Sequence, residues 1–178
     1  KDLSLNVVDG KVDSVCVNMG KAELEPDRVP VMLSGKAIIN EPVMIGGTRQ
    51  YITCVSMGNP HCVVFCDDVD SLDLAGIGRT FEKNTLFPQG VNTEFVQVID
   101  KKTIKMRVWE RGSGETLACG TGACASAVAA VLNGFCEKNA DITVKLSGGE
   151  LVIRYSDDAV FMTGEAKTVF TGEVEVSL

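Results

Sequence analysis

Most of the chain alternates apolar and polar positions with a period of two. The runs are short and close on Gly, Asn, Asp or Pro, which is the pattern of half-buried strands. Leu3–Val8, Val12–Asn18, Tyr51–Val55, Cys62–Cys66, Phe95–Ile99, Thr103–Glu110, Ile142–Leu146, Leu151–Tyr155 and Val160–Met162 are the predicted strands. In Thr103–Glu110 the two faces separate cleanly, with Ile104, Met106 and Val108 on one and Thr103, Lys105 and Arg107 on the other. The segment from Lys167 to Leu178 ends on the same alternation.

Two segments break that period. Leu72–Asn84 has the spacing of a modest surface helix, weakened by Gly76 and Gly78. Thr121–Asn133 (TGACASAVAAVLN) has no charge on any face, and Gly134 follows as a natural stop. A helix that is apolar all round must be buried all round. The predicted fold class is therefore α+β, a barrel-like, mostly antiparallel sheet wrapped around one central buried helix. No internal repeat or low-complexity linker interrupts it.

A chain of 178 residues with 45% hydrophobic side chains has enough apolar surface for a real core. Seventeen basic residues against 24 acidic give a net charge of −7, and no basic patch offsets it, so nucleic acid is excluded as a partner. The longest apolar-rich run, Ala123–Leu132, is too short to span a bilayer. With no signal-peptide pattern, the expectation is a cytoplasmic protein without a membrane partner. Seven cysteines in an odd count, with no Cys-x-x-Cys pair and His61 as the sole histidine, argue against a disulfide scaffold and against a zinc site. No metal is expected. Most of the thiols should be small buried hydrophobes.

Cys119 stands immediately before the uncharged helix, and position alone leaves two readings of it. One is a packed core residue. The other follows from the helix start, whose dipole and unpaired N–H groups favour a thiolate and lower a thiol pKa. The N–H groups of Gly120, Thr121 and Gly122 can also hold a carboxylate, and glycines at 120 and 122 let a ligand approach closely. A thiolate beside a carboxylate nest suits removal of an α-proton from an amino acid, because the nest stabilises the charge that develops on the carboxylate. Glu110 and Arg111 precede this loop, and alone they read as a solvated surface pair.

Other motifs compete. Gly120-x-Gly122-x-x-Ala125, with Asp141 downstream, matches a loose dinucleotide fingerprint, but polar and small residues separate it from the preceding strand. Cys119 with His61 as its base would be a cysteine hydrolase, for which nothing further in the sequence speaks. Asn59, in the turn Ser56-Met57-Gly58-Asn59-Pro60-His61, and Asn92, at a strand start, each offer an amide either to a ligand or to their own backbone.

Three motifs occur together in order. Ser-x-Gly-Asn-Pro-His at 56–61, Gly-x-Asn-x-Glu-Phe at 90–95 and Arg-Val-Trp-Glu-Arg-Gly-x-Gly-Glu-Thr-Leu-Ala-Cys-Gly-Thr-Gly at 107–122 resemble the diaminopimelate epimerases. The resemblance covers essentially the whole chain. It implies two similar lobes, each a sheet around a helix, with the site in the cleft between them. Cys119 would be the acid/base cysteine of the second lobe, and Gly120 and Thr121 would hold the carboxylate at the reacting carbon. Asn59, Asn92, Glu110 and Arg111 would recognise the polar groups of diaminopimelate, with His61 nearby. The implied reaction interconverts the L,L and meso forms on the route to lysine and cell wall, without a cofactor.

Inversion by proton transfer needs an acid and a base on opposite faces of the carbon. Cys124 cannot be the second thiol, because five helical residues place it roughly 7.5 Å deeper and about 140° around from Cys119. The family carries its other cysteine in a Cys-Gly-Asn-Gly motif of the first lobe, and this sequence has none. The expectation is one lobe, inactive alone, whose partner is the missing N-terminal lobe; a homodimer is left open. Residues 1–19 would be strands at the hinge or of the first lobe, 20–164 the second lobe, and 165–178 a strand returning to the first. An inactive binding module of the same fold, or a related isomerase of another small carboxylic acid, remains an alternative.

Overall fold

In the computed structural model, which describes residues 1–176, the uncharged segment forms the helix and the alternating runs form one sheet around it. In chain order the strands are β1 (Leu3–Val8), β2 (Lys11–Gly20), β3 (Glu41–Ile45), β4 (Thr48–Ser56), β5 (Pro60–Phe65), β6 (Asn92–Asp100) and β7 (Thr103–Glu110). They continue with β8 (Gly114–Thr116), β9 (Asp141–Leu146), β10 (Gly149–Tyr155) and β11 (Val160–Glu165). Helix α1 spans Leu74–Glu82 and α2 spans Gly120–Leu132. The sheet order is β1-β2-β11-β10-β9-β7-β6-β5-β4-β3, with β8 paired back on β7. Only β5–β6 and β7–β9 are parallel, and each of these pairs is joined by a crossover carrying a helix.

The period of two assigns neighbouring side chains to different cores. Val55, Val63, Val96 and Met106 pack with α2, whereas Cys54, Cys62, Val64 and Phe95 pack with Leu74 and Phe81 of α1. Covered on both faces, β5 reads as a continuous apolar run rather than an alternating one. Helix α2 touches β4, β5, β6, β7, β9, β10 and β11, and its alanines let those strands approach closely. It ends at Gly134, whose φ of 76° sets up a left-handed stop. There Phe135 N–H donates to the Ala130 carbonyl at 2.9 Å and Gly134 N–H to that of Val131 at 3.0 Å.

The expected wrapped sheet is present, and a second core on the outer face is an addition to it. Helix α1 is more than a surface helix, for Leu74, Gly78 and Phe81 are buried. Its glycines weaken intrinsic propensity, but packing and an Asp73 cap on Gly76 N–H (3.1 Å) override that. Two strands have no counterpart in the expected pattern. β3 contains Pro42, tolerated because β3 lies at the sheet edge. β8, Gly-Glu-Thr, has little β propensity and forms because the turn after Glu110 folds it onto β7.

At the other sheet edge, β2 pairs with both β1 and β11, and Leu3, Leu5 and Val7 of β1 are exposed. Of the strand expected over 165–178, only Glu165 is strand, as the last residue of β11. Residues 166–176 form no ladder and expose Val169, Phe170, Val174 and Val176, because alternation becomes a strand only where the backbone finds a partner. Residues 177–178 of that expected strand lie outside the described residues. Among the described residues no helix is long and apolar enough to cross a membrane.

Candidate active site

The site is built around the first turn of α2. Cys119 is its N-cap, in extended conformation, and the Gly122 N–H donates to its Sγ at 3.3 Å. Ala123 N–H donates to the Cys119 carbonyl at 2.9 Å. The N–H groups of Gly120 and Thr121 lie at the helix start, where no intrahelical carbonyl reaches them. Both residues are half-buried, so a small anion can approach. Met162 backs Gly120, its Sδ being 3.2 Å from where a β-carbon at 120 would stand.

A polar chain runs from Cys119 into the sheet. Its Sγ is 3.5 Å from Thr121 Oγ1, and Asn59 Nδ2 donates to that same hydroxyl at 3.3 Å. Asn59 Oδ1 is 3.0 Å from His61 Nε2, and His61 Nδ1 is 2.7 Å from Glu94 Oε1. His61 and Glu94 are both fully buried, and Glu94 Oε2 has no hydrogen-bond partner among the described residues. Glu94 lies directly under the start of α2. A β-carbon at Gly122 would sit 2.7 Å from its Oε1, so only glycine admits the carboxylate there.

The other predicted residues stand on the rim. Glu110, at the end of β7, accepts from the Thr116 hydroxyl at 2.5 Å. Arg111 is exposed, and its Nη1 donates to the Gln89 carbonyl at 2.8 Å. Asn92 is buried and works as a strut, its Nδ2 donating to the Pro60 carbonyl (3.0 Å) and its Oδ1 accepting from Arg111 N–H (2.9 Å). One amide hydrogen and one lone pair are left to it. Beneath this rim Glu82 of α1 accepts from the Trp109 indole at 2.8 Å and from Gly112 N–H at 2.9 Å, pinning the turn that follows Glu110.

The electrostatics correct one expectation. A helix start was expected to lower the Cys119 pKa, but it is raised. Burial acts most strongly, and acidic neighbours, the Glu110 carboxylate among them, add to it; the Thr121 hydroxyl and Gly122 N–H pull the other way without prevailing. Burial likewise holds Cys124 as a thiol, pushed up to about 12. All seven cysteines are free. Among the described residues no three or more metal-binding side chains cluster.

The site thus brings together Cys119, Gly120, Thr121, Asn59 and His61 by direct contact or through one another, with Glu110, Arg111 and Asn92 linked at the rim. Glu94 and Glu82 were missed. Glu94 lies inside the quoted 90–95 motif and is polar within an apolar strand, which is the signal that marks it; Glu82 carries no such signal, being one more acid on a helix.

The family model described as diaminopimelate epimerase matches residues 53–169. A diaminopimelate epimerase from Acetivibrio thermocellus is 52% identical over 99% of this chain and 63% of its own length. The chain spans about three-fifths of the length of the curated relatives it matches. Among solved structures, a probable proline racemase from Agrobacterium radiobacter K84 superposes with a TM-score of 0.69 at 12% identity, over 98% of this chain and 57% of that one. A hydroxyproline epimerase from Agrobacterium vitis gives 0.63 at 13% identity, over 90% and 52%. At such identities these two share the fold alone. With most of the described chain inside the matched segment and half of its residues identical to a named relative, the chain belongs to the diaminopimelate epimerase family.

Proposed function

We propose that the chain supplies one half of the site of a diaminopimelate epimerase, with Cys119 as one of two acid/base thiols. The observation that carries this is the thiol at the cap of α2, its sulfur 3.3 Å from Gly122 N and next to the open N–H groups of Gly120 and Thr121. A substrate α-carboxylate bound to those N–H groups presents its α-carbon to the sulfur. When the α-proton leaves, charge spreads onto the carboxylate, where the helix start already points its donors. The inverted product requires a proton from the opposite face, delivered by a second thiol.

None of the other cysteines suits that role. Cys124 is fully buried inside α2, Cys54 and Cys62 belong to the α1 core with Cys66 packed against it, Cys136 packs beyond the far end of α2, and Cys16 of β2 faces away from α2 beside Asp141 and Arg154. The second thiol is therefore assigned to another lobe, and this chain alone is inactive. Glu110 suits the substrate ammonium, Arg111 the distal carboxylate and Asn59 the polar groups between them, with Asn92 fixing the Arg111 backbone.

The test is α-proton exchange on meso-diaminopimelate in D₂O, followed by proton NMR under reducing conditions. The chain alone should give none. A chimera joining it to the first half of the Acetivibrio thermocellus relative should exchange, and Cys119→Ser in that chimera should abolish exchange. Undiminished exchange in the Cys119→Ser chimera would refute the role of the thiol.

A further inference from the structure

We propose that Glu94 is a positioning residue of this site: it shares one proton with His61, and that proton turns the Thr121 hydroxyl onto the Cys119 sulfur.

The inference follows from donor and acceptor arithmetic along one chain. Asn59 Nδ2 donates to Thr121 Oγ1, so Asn59 Oδ1 is the atom that faces His61 Nε2 at 3.0 Å. An amide oxygen can only accept, so Nε2 must carry a hydrogen. His61 Nδ1 and Glu94 Oε1 are 2.7 Å apart and need one proton between them, held as an imidazolium facing a carboxylate or as a neutral imidazole facing a carboxylic acid. In either form the pair carries no net charge. Thr121 Oγ1 accepts from Asn59, which leaves its own hydrogen for Cys119 Sγ at 3.5 Å. The hydroxyl is thereby set as a donor, the arrangement a thiolate needs.

The opposite tautomer reverses every link. With Nδ1–H donating to an ionised Glu94 and Nε2 bare, the Asn59 amide must turn over to donate to Nε2. Thr121 then donates to Asn59 Oδ1 and can only accept from Cys119. That form also buries a carboxylate charge. The environment opposes it, because Glu94 is fully buried and its Oε2 has no partner, a placement far less costly for a neutral acid than for an anion. Gly122 brings Oε1 so close under α2 that water has little room to intervene. The ionisable groups facing this chain are Cys62 from β5, Glu110 from β7 and Cys124 of α2, besides Cys119 itself. Burial keeps Cys62 and Cys124 as thiols, and Glu110 is the outside charge that acts on Cys119. The shared proton removes the charge with which an ionised Glu94 would oppose the thiolate. The catalytic meaning of this rests on the epimerase reading above.

The chain itself provides the test, without turnover. His61 is its sole histidine, so the nitrogen-15 spectrum of the imidazole needs no assignment. The expected spectrum shows a protonated Nε2 at neutral pH. A bare Nε2 with protonated Nδ1 overturns the proposal outright. Alkylation of Cys119 by iodoacetamide, followed by mass spectrometry of its peptide, reads the consequence. Thr121→Val should raise the pH midpoint by about one unit, roughly a tenfold slower reaction at a fixed lower pH. Glu94→Gln, whose amide can donate to Nδ1, should keep the Nε2 proton and leave the midpoint within about half a unit. A midpoint that falls by about one unit or more in Glu94→Gln would show Glu94 ionised beside a neutral His61, a net charge on the pair, and the proposal wrong. If Glu94→Gln does not fold, the wild-type nitrogen spectrum still decides. Isotope exchange in the chimera tests the epimerase reading separately, so either can fail without the other.

Discussion

The indole of Trp109 lies across α1 at Gly78 so closely that a β-carbon there would stand 2.4 Å from the ring. A backbone position in a helix with no left-handed requirement is thus reserved for glycine by a side chain from β7. Gly78→Ala must push the indole aside or tilt α1, and overpacking of this kind costs about 1–3 kcal/mol. Urea unfolding should show that loss. Trp109 is the only tryptophan, so its emission should shift in the folded state as well. An unchanged midpoint and emission would mean that α1 does not dock as described.

Glu82 holds the same indole from below. Its pKa is lowered, first by the Trp109 hydrogen bond and then by Gly112 N–H. A carboxyl depressed in the folded state adds stability above its unfolded pKa and loses it as pH falls through the folded one. Trp109 emission should therefore change on acidification below the ordinary glutamate range. Glu82→Gln should flatten that step while leaving the neutral spectrum close to wild type. A step of equal size in the variant would assign it to another group.

Helix α2 admits no enlargement along its middle turns. Ala127 is fully buried among strands, and Ala127→Leu adds three carbons where no space exists. The expected loss is about 1–3 kcal/mol, measurable by chemical denaturation. A neutral result would reveal a cavity beside the helix.

Cys119 should be a sluggish nucleophile in the isolated chain. With its pKa raised, its alkylation rate should climb only above the ordinary thiol range near about 8.5. Glu110→Gln removes one of the opposing carboxylates and should move that midpoint down. A midpoint that stays put or rises would show that Glu110 reaches Cys119 by contacts rather than by charge.

Much of this was legible in the sequence, for identifiable reasons. Thr103–Glu110 alternates cleanly because β7 buries only one row of its side chains completely, and the α2 segment betrays its burial by lacking any charge. Cys119, Gly120 and Thr121 were legible because a helix start has fixed chemistry. The direction of the Cys119 pKa was not, since local sequence contains the helix start but not the burial that the surrounding sheet imposes on the thiol. Asn92 could not be told apart as a strut, because a free and a committed amide look the same until Pro60 and Arg111 are placed beside it. β8 was invisible for a similar reason, its strand state being imposed by its partner.

The pairing of β2 with β11 has a consequence in time. It joins residues 14–20 to residues 160–165, so this end of the sheet closes only when the two ends of a long segment meet. Contacts this distant in sequence slow folding, because a large loop must be ordered before they form. On a ribosome, β2 would emerge well before β11 and wait, the edge that receives β11 unpaired, until that strand follows. Cys16, on that waiting strand, is the thiol at which a misfolded or cross-linked nascent species would be caught.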